Sequence, residues 1–319
     1  MAYTGHVKSC NPKYVEQIPG LVWRATGAQP VRLIPIPTVP DTIVYEAQLP
    51  TGVVIFKAID PDGRDPDGIG LEAWMCEQVR ALGVPAPQVL TVDTSHSFLP
   101  ASYFVMEKAP GQPLSSLPAA QQPALLQQIG AYLRRIHSVQ VERFGWLDEQ
   151  HYRQYQTVQG THATWRAAIL NDIPASLAYF EATNALEPSA MRAIERVLEL
   201  GEPMLQLVTD GRLLHGDLGG LHVWVDPERS AITSFVDFGD RSAGDPIWDI
   251  MRFDWEDVRS LVEGYELDAS EQARFWPTFH VYAVLQAIPW AWKWHARGGV
   301  HTVEWLKTTI REATPILGL

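Results

Sequence analysis

Cysteine is scarce in this 319-residue chain: Cys10 and Cys76 are the only two. With no CxxC pair between them, they exclude a disulfide framework and a thiolate metal or redox motif. Positive charge is also in short supply. Lys and Arg total 25 against 37 Asp and Glu, a formal net charge of −12. That balance argues against a nucleic-acid partner, which needs a basic face, and suits attraction of a cationic small molecule. Long apolar runs are missing too. The opening MAYTGHVKSCNPKYVEQIPG has no apolar stretch of the kind a secretory signal needs. The longest aromatic-apolar run, VYAVLQAIPWAWKW, is too short to span a bilayer and is expected to break at Pro289. No low-complexity tract or block of like charge appears, so the expectation is a globular cytoplasmic protein that meets no membrane.

What is present divides the chain by character. Residues 31 to 59 read as strands: VRLIPIP, then IVYEAQL, a Pro-Thr-Gly turn and VVIFKAI, the pattern of a β-hairpin. A polar loop, DPDGRDPDG, follows. LEAWMCEQVRALG then has helical spacing and stops at Gly83, with Pro85 just beyond. QVLTVDT and SYFVMEK read as two further strands. From Pro110 the apolar residues recur at helical spacing, in PAALLQQIGAYLRRIHSV, TWRAAILNDIPASLAYF and SAMRAIERVLEL. Short β-like runs return only in HVWVD and ITSFVDF, and the chain beyond about Asp245 reads as helices. The expected organisation is α+β, with a small β-rich lobe over residues 1–108 and a larger helical lobe over 109–319. The boundary falls at KAPGQP, residues 108 to 113, where Pro and Gly suit a hinge.

Chemistry-bearing residues fall in a fixed order along this frame. Lys57 lies on an apolar strand, Glu72 near the start of the following helix, then His215-Gly216-Asp217, then Asp237 in Val-Asp-Phe-Gly. Glu77, on the same helix as Glu72, competes as a partner for Lys57. It stands five positions on, so the two cannot share a face. A lysine with a helical glutamate and two loop carboxylates is what phosphoryl transfer asks for, since that reaction needs positioning and charge stabilisation more than covalent chemistry. No GxGxxG is present. The candidate phosphate turn is TVPDTIVYE, where Thr42 offers a hydroxyl.

These segments together resemble the aminoglycoside phosphotransferase family, which shares the two-lobed protein-kinase-like fold. HGDLGGLH matches the family's HGDxxxxN loop, and VDFGDRSAGDPIWDI matches its metal-binding aspartate followed by GDPxxDL. SYFVMEKAPGQPL resembles the hinge strand, LEAWMCEQVRALGVPAPQVL the helix with its GVPxP tail, and RRIHSVQVERFGWLD the segment after the hinge. The resemblance spans about residues 40 to 255 and implies a small-molecule kinase that uses ATP or GTP. It implies that Lys57 meets the nucleotide's phosphates with Glu72 holding it, and that main-chain groups of Glu107 and Ala109 read the base. Asp217 would orient the attacking hydroxyl, and Asp237 would bind Mg²⁺. His215, Asp245 and Asp249 would keep the catalytic loop in shape. A protein kinase is disfavoured, because the loop reads HGD rather than HRD and no APE-type segment follows.

His222 stands where the family pattern has asparagine. Mg²⁺ prefers oxygen, whereas imidazole suits softer divalent ions such as Mn²⁺. The macrolide phosphotransferases are similar in carrying HGDLxxGH, so the residue resembles a natural variant of the metal site. That leaves an aminoglycoside-like or other small acceptor, a macrolide-like acceptor, or a catalytically silent binding protein as the alternatives. Acceptor contacts are expected from the helical lobe. Candidates there are the carboxylates of DWEDVRSLVEGYELD and the tryptophans Trp290, Trp292 and Trp294, whose alternation prevents all three from sharing one helix face.

Overall fold

The computed structural model describes residues 12–38, 42–60, 68–253, 255–299 and 301–319. The chain forms two compact units: Met1–Leu125, Glu149–Thr157 and Gly219–Arg241 make the first, and Leu126–Asp148, Val158–Leu218 and Ser242–Leu319 the second. The α+β reading is borne out, with a five-stranded sheet near the N-terminus and a largely helical C-terminal part.

In the first unit, α1 (Ile18–Thr26) precedes β1 (Arg32–Pro35), β2 (Thr42–Leu49), β3 (Gly52–Ile59), β4 (Val89–Asp93) and β5 (Tyr103–Glu107), with α2 (Ile69–Ala81) between β3 and β4. The strands pair antiparallel in the order β1-β2-β3-β5-β4. β2 and β3 form the expected hairpin, with Leu49 opposite Gly52 and Pro50-Thr51 at its tip. β3 lies between two partners, and its run of β-branched and aromatic residues fits a strand buried on both faces. Val54 to Ala58 are all buried, Lys57 among them.

α2 turns Ile69 and Ala73 onto Phe104 of β5. It ends at Ala81 with Leu82 as its C-cap, ahead of Gly83 with φ +70. Cys76 on its inner face is a free thiol whose pKa burial pushes up, the setting of an inert structural cysteine. A second hairpin, Val223–Asp226 with Ala231–Phe235, pairs with Gln112–Pro113. The close approach depends on Gly111, which has φ +88 and where a Cβ would lie 2.1 Å from the Val225 carbonyl oxygen.

The second unit packs helices Ile173–Thr183, Pro188–Gln206 and His301–Leu317 around Ala269–His295. TWRAAILNDIPASLAYF is two helices, Trp165–Leu170 and Ile173–Thr183, separated at Asn171-Asp172 with proline at the second start. The anticipated break at Pro289 does not occur: helix Ala269–His295 runs through both Pro277 and Pro289. Proline inside a helix costs about 3 kcal/mol in lost hydrogen bonding and steric conflict. Burial of Phe275, Phe279, Val281, Tyr282, Leu285 and Ile288 along this helix offsets that cost. No described helix is long and apolar enough to cross a membrane.

A sheet of short strands completes the unit, ordered Gln140–Val141, Gly211–Leu214, Ser242–Gly244, Phe144–Leu147, Gly160–His162. Trp290, Trp292 and Trp294 are all half-buried. Trp290 and Trp294, four apart, approach one another with ring centroids 6.1 Å apart.

Candidate nucleotide and catalytic sites

The charge cluster of the first unit is built around Lys57. β3 delivers its side chain into the sheet's buried face, where it is 7 % exposed. An unpaired ammonium there would be prohibitively costly, and it is paired twice. Its Nζ lies 2.7 Å from Glu72 Oε1 and 2.9 Å from Asp237 Oδ1. Glu72 is buried and Glu77 exposed, which settles the competition between them as the helix face predicts. Burial alone would lower the Lys57 pKa, but the charges of Asp237 and then Glu72 outweigh it and hold the ammonium above the ordinary lysine range. Burial pushes Glu72 upward against the pull of Lys57. With the ammonium at 2.7 Å, the ionised carboxylate is the form this geometry supports.

Asp237 reaches the cluster from a strained backbone position, φ +64 and ψ 63, the left-handed region that aspartate enters more readily than most residues. The Val236 N–H donates to the His222 carbonyl at 2.9 Å, so the two loops run side by side. His222 Nε2 stands 3.8 Å from Asp237 Oδ2, too far for a hydrogen bond. Asp237 keeps 51 % of its side chain exposed. Thr42 opens β2, its Oγ1 2.8 Å from that of Thr38; residues 39–41 of the candidate phosphate turn lie outside the described residues.

At the end of β5, the Glu107 N–H donates to the Gln88 carbonyl at 2.9 Å, and Ala109 is buried. A hollow of about 460 Å³ beside this segment is lined by Arg80, Val84, Pro85, Glu107, Ala109 and Thr233 among others. Neither Lys57, Asp237 nor His222 lines it, so it is not the pocket that the charge cluster serves.

The candidate catalytic-loop residues His215 and Asp217, with Asp245 and Asp249, belong to the second unit. Asp249 is fully buried and spends both oxygens on the loop backbone. Oδ2 accepts from the His215 N–H at 2.7 Å and Oδ1 from the Gly216 N–H at 2.8 Å. His137 Nε2 sits 3.1 Å from Oδ2, and its Nδ1 meets the Tyr265 hydroxyl at 3.0 Å. Burial works against the Asp249 charge, but the hydrogen bond and charge of His137, with His215 and the Gly216 amide, prevail and hold its pKa below the ordinary aspartate value. Asp245 is likewise buried, taking Arg274 at 2.7 Å, the Tyr282 hydroxyl at 3.0 Å and the Ile247 N–H at 3.1 Å.

Asp217, by contrast, is partly exposed. Arg252 approaches its Oδ1 at 3.0 Å and donates to the Gly216 carbonyl at 2.5 Å. The Gln286 amide, turned so that its oxygen faces the guanidinium, accepts from Arg252 at 2.7–3.0 Å.

The expected Lys57–Glu72 pair is present, and Asp237 joins it, whereas the contacts of Arg252 with Asp217 and of His137 with Asp249 were not expected. His137 did carry a signal, its place in the family-like segment RRIHSVQVERFGWLD. A lone arginine in the apolar run IWDIMRF was the signal for Arg252.

The sequence profile of the phosphotransferase enzyme family matches residues 42–280. Among curated proteins no relative matches the chain. Solved structures resemble it over nearly their whole length at low identity. A thermostable mutant of aminoglycoside phosphotransferase APH(4)-Ia in its apo form superposes with a TM-score of 0.70 at 16% identity, covering 93% of this chain and 98% of that one. The GDP and kanamycin complex of APH(2")-IIia gives 0.67 at 14%, covering 93% and 97%. Spectinomycin phosphotransferase APH(9)-Ia with ADP and spectinomycin gives 0.63 at 13%, covering 95% and 98%. With three quarters of its length under one profile and this architecture, the chain belongs to the phosphotransferase enzyme family and is a phosphotransferase of protein-kinase-like fold.

Proposed function

We propose that this phosphotransferase moves the γ-phosphoryl group of ATP or GTP to a hydroxyl of a small acceptor, aminoglycoside-like in chemistry. The observation that carries the reading is the Lys57 ammonium held between Glu72 and Asp237, a buried cation with one half-open carboxylate beside it. Lys57 meets the α and β phosphates, and Glu72 fixes its direction. Thr42 and the hinge backbone at Glu107 and Ala109 complete the nucleotide contacts. Relatives of this fold occur with ADP and with GDP, which supports either nucleotide. A nucleotide co-substrate also suits a cytoplasmic setting.

Asp217 orients the acceptor hydroxyl and takes its proton. Positioned acid–base catalysis of this kind contributes roughly 10²–10⁴ in rate, or about 3–5 kcal/mol of barrier. His215, Asp245 and Asp249 hold the loop that presents it. The chain's negative charge, −12 in total, favours approach of a cationic acceptor.

The donor set fits a divalent metal held jointly with nucleotide. Among the described residues no group of three or more His, Cys, Asp or Glu is disposed to hold a metal alone. Mg²⁺ in such enzymes is bound by one or two carboxylates, with substrate phosphates and water supplying the rest. Asp237 is the carboxylate and His222 the neighbouring donor, which widens tolerance to Mn²⁺. The metal, when bound, neutralises charge on the phosphates. A macrolide-like acceptor is the second reading, favoured by His222 at the asparagine position. A silent binding protein is disfavoured, since Lys57, Glu72 and Asp237 are all retained and paired.

The test is a panel of aminoglycoside, macrolide and sugar acceptors with γ-labelled ATP and GTP, read as label on the acceptor. Transfer to a hydroxyl supports the reading. Absence of any nucleotide binding or turnover with Mg²⁺ or Mn²⁺ returns the protein to the silent class.

A further inference from the structure

Helix α2 carries Glu72 but has no cap of its own: Gly68 precedes it and offers no side chain to its first amides. The cap comes from far along the chain. Glu149, first residue of the short helix Glu149–Tyr155, accepts from the Leu71 N–H through Oε2 at 3.2 Å, a partner 78 residues away. Gly70 leaves room for it, since a Cβ there would lie 2.8 Å from Glu149 Oε1. The two helices also meet through Trp74 and Tyr152, ring centroids 6.4 Å apart.

On its other side Glu149 meets Arg241, whose Nη2 is 3.4 Å from the same Oε2. Both side chains are buried, 9 % and 3 % exposed. Arg241 closes the loop that begins at Asp237, and its Nη1 donates to the Gly239 carbonyl at 2.7 Å. One carboxylate therefore touches the start of the helix bearing Glu72 and the end of the loop bearing Asp237. Those are the two residues that hold Lys57.

We propose that Glu149 is a positioning residue for phosphoryl transfer, a latch that ties the first turn of α2 to the Asp237 loop and so keeps Glu72, Lys57 and Asp237 assembled before nucleotide arrives. The inference rests on the reading that this cluster binds nucleotide. A carboxylate at a helix N-terminus satisfies orphan amides and favours the helix dipole. Its ion pair with Arg241 adds a restraint that neutral capping could not supply.

The experiment uses the full chain. Fluorescent ATP and GTP analogues with Mg²⁺ are titrated into wild type, Glu149→Gln, Glu149→Ala, Arg241→Ala and Glu77→Ala, and hydrogen exchange is followed over residues 68–74. Glu149→Ala is expected to weaken nucleotide about tenfold, equivalent to about 1.4 kcal/mol, and to speed exchange in the first turn of α2. Glu149→Gln keeps the amide acceptor and the side-chain shape. It should preserve slow exchange while still losing several-fold in affinity, a split that a purely structural cap would not produce. Arg241→Ala should match Glu149→Gln, and Glu77→Ala, on the exposed face, should match wild type. Should Glu149→Ala fail to fold, the near-isosteric Gln variant carries the test. Wild type that binds nucleotide while Glu149→Gln and Arg241→Ala bind equally well overturns the latch alone. Wild type that binds neither analogue overturns the functional reading and the latch with it.

Discussion

Asp237 and Asp249 are twelve residues apart in one motif-rich stretch, yet they sit in opposite electrostatic settings. Asp249 has no exposed surface, and both its oxygens are spent on the main-chain amides of His215 and Gly216. Asp237 shares one oxygen with Lys57 and leaves half its side chain open to solvent. A carboxylate satisfied on every side can shape a loop but has nothing left to offer a ligand. One that is bound by a buried cation and keeps half its side chain exposed can take a metal or a phosphate-bound ion. On the proposed reading the two aspartates divide the labour of scaffold and site, and that division can be broken by substitution.

The largest effect is expected at Asp237. Asp237→Ala removes the candidate metal carboxylate and should cut transfer by at least roughly 10²-fold, on the scale of losing a transition-state charge stabiliser. Isothermal titration should also show weakened nucleotide binding in the presence of Mg²⁺. Its melting temperature should fall less than that of Asp249→Asn, because Lys57 keeps Glu72 at 2.7 Å. Unfolding of this variant at a much lower temperature would erase the contrast with Asp249.

Asp249→Asn should reverse the pattern. It leaves one loop amide facing an NH₂ group and removes the charge beside His137, a loss of about 2–4 kcal/mol in a chemical-denaturation series. The same carboxylate predicts a pH dependence. Its folded-state pKa lies below the ordinary aspartate value of 3.8. Its contribution is therefore fully present above that value and is lost as pH falls through the depressed one. Wild type should lose stability more steeply than Asp249→Asn below about pH 4. Parallel curves for the two proteins would remove Asp249 from the account of acid sensitivity.

The smallest effect is expected at His222. At 3.8 Å from Asp237 Oδ2 it is a neighbour of the candidate metal carboxylate rather than its anchor. His222→Asn should keep transfer within about tenfold while shifting the ratio of Mg²⁺-supported to Mn²⁺-supported rates towards Mg²⁺. Complete loss of turnover would promote the imidazole to an indispensable group.

Much of this arrangement was legible in the sequence because it is carried by local pattern. Lys57 on a β-branched strand, Glu72 one helix face away from Glu77, and Asp237 at the end of a short strand all follow from periodicity and motif order. Contacts between distant segments were not legible. Glu149 stands in WLDEQ with nothing to mark it, since its work is done on an amide 78 residues earlier. The sheet built from Gln140–Val141, Phe144–Leu147, Gly160–His162, Gly211–Leu214 and Ser242–Gly244 has strands too short to show an alternating pattern. Pro289 misled for a related reason: local propensity forbids what the buried face of a long packed helix permits. The tryptophans of IPWAWKW are half-buried, and neither their spacing nor their burial names an acceptor.

The central claim is tested most directly by single-turnover transfer of labelled γ-phosphate from ATP or GTP to an acceptor drawn from the panel, comparing wild type with Asp217→Ala. The account predicts labelled acceptor from wild type, a loss of roughly 10²–10⁴ in rate for the variant, and nucleotide affinity within a few fold of wild type. Full-rate transfer by Asp217→Ala, or no transfer by wild type to any hydroxyl, would contradict it.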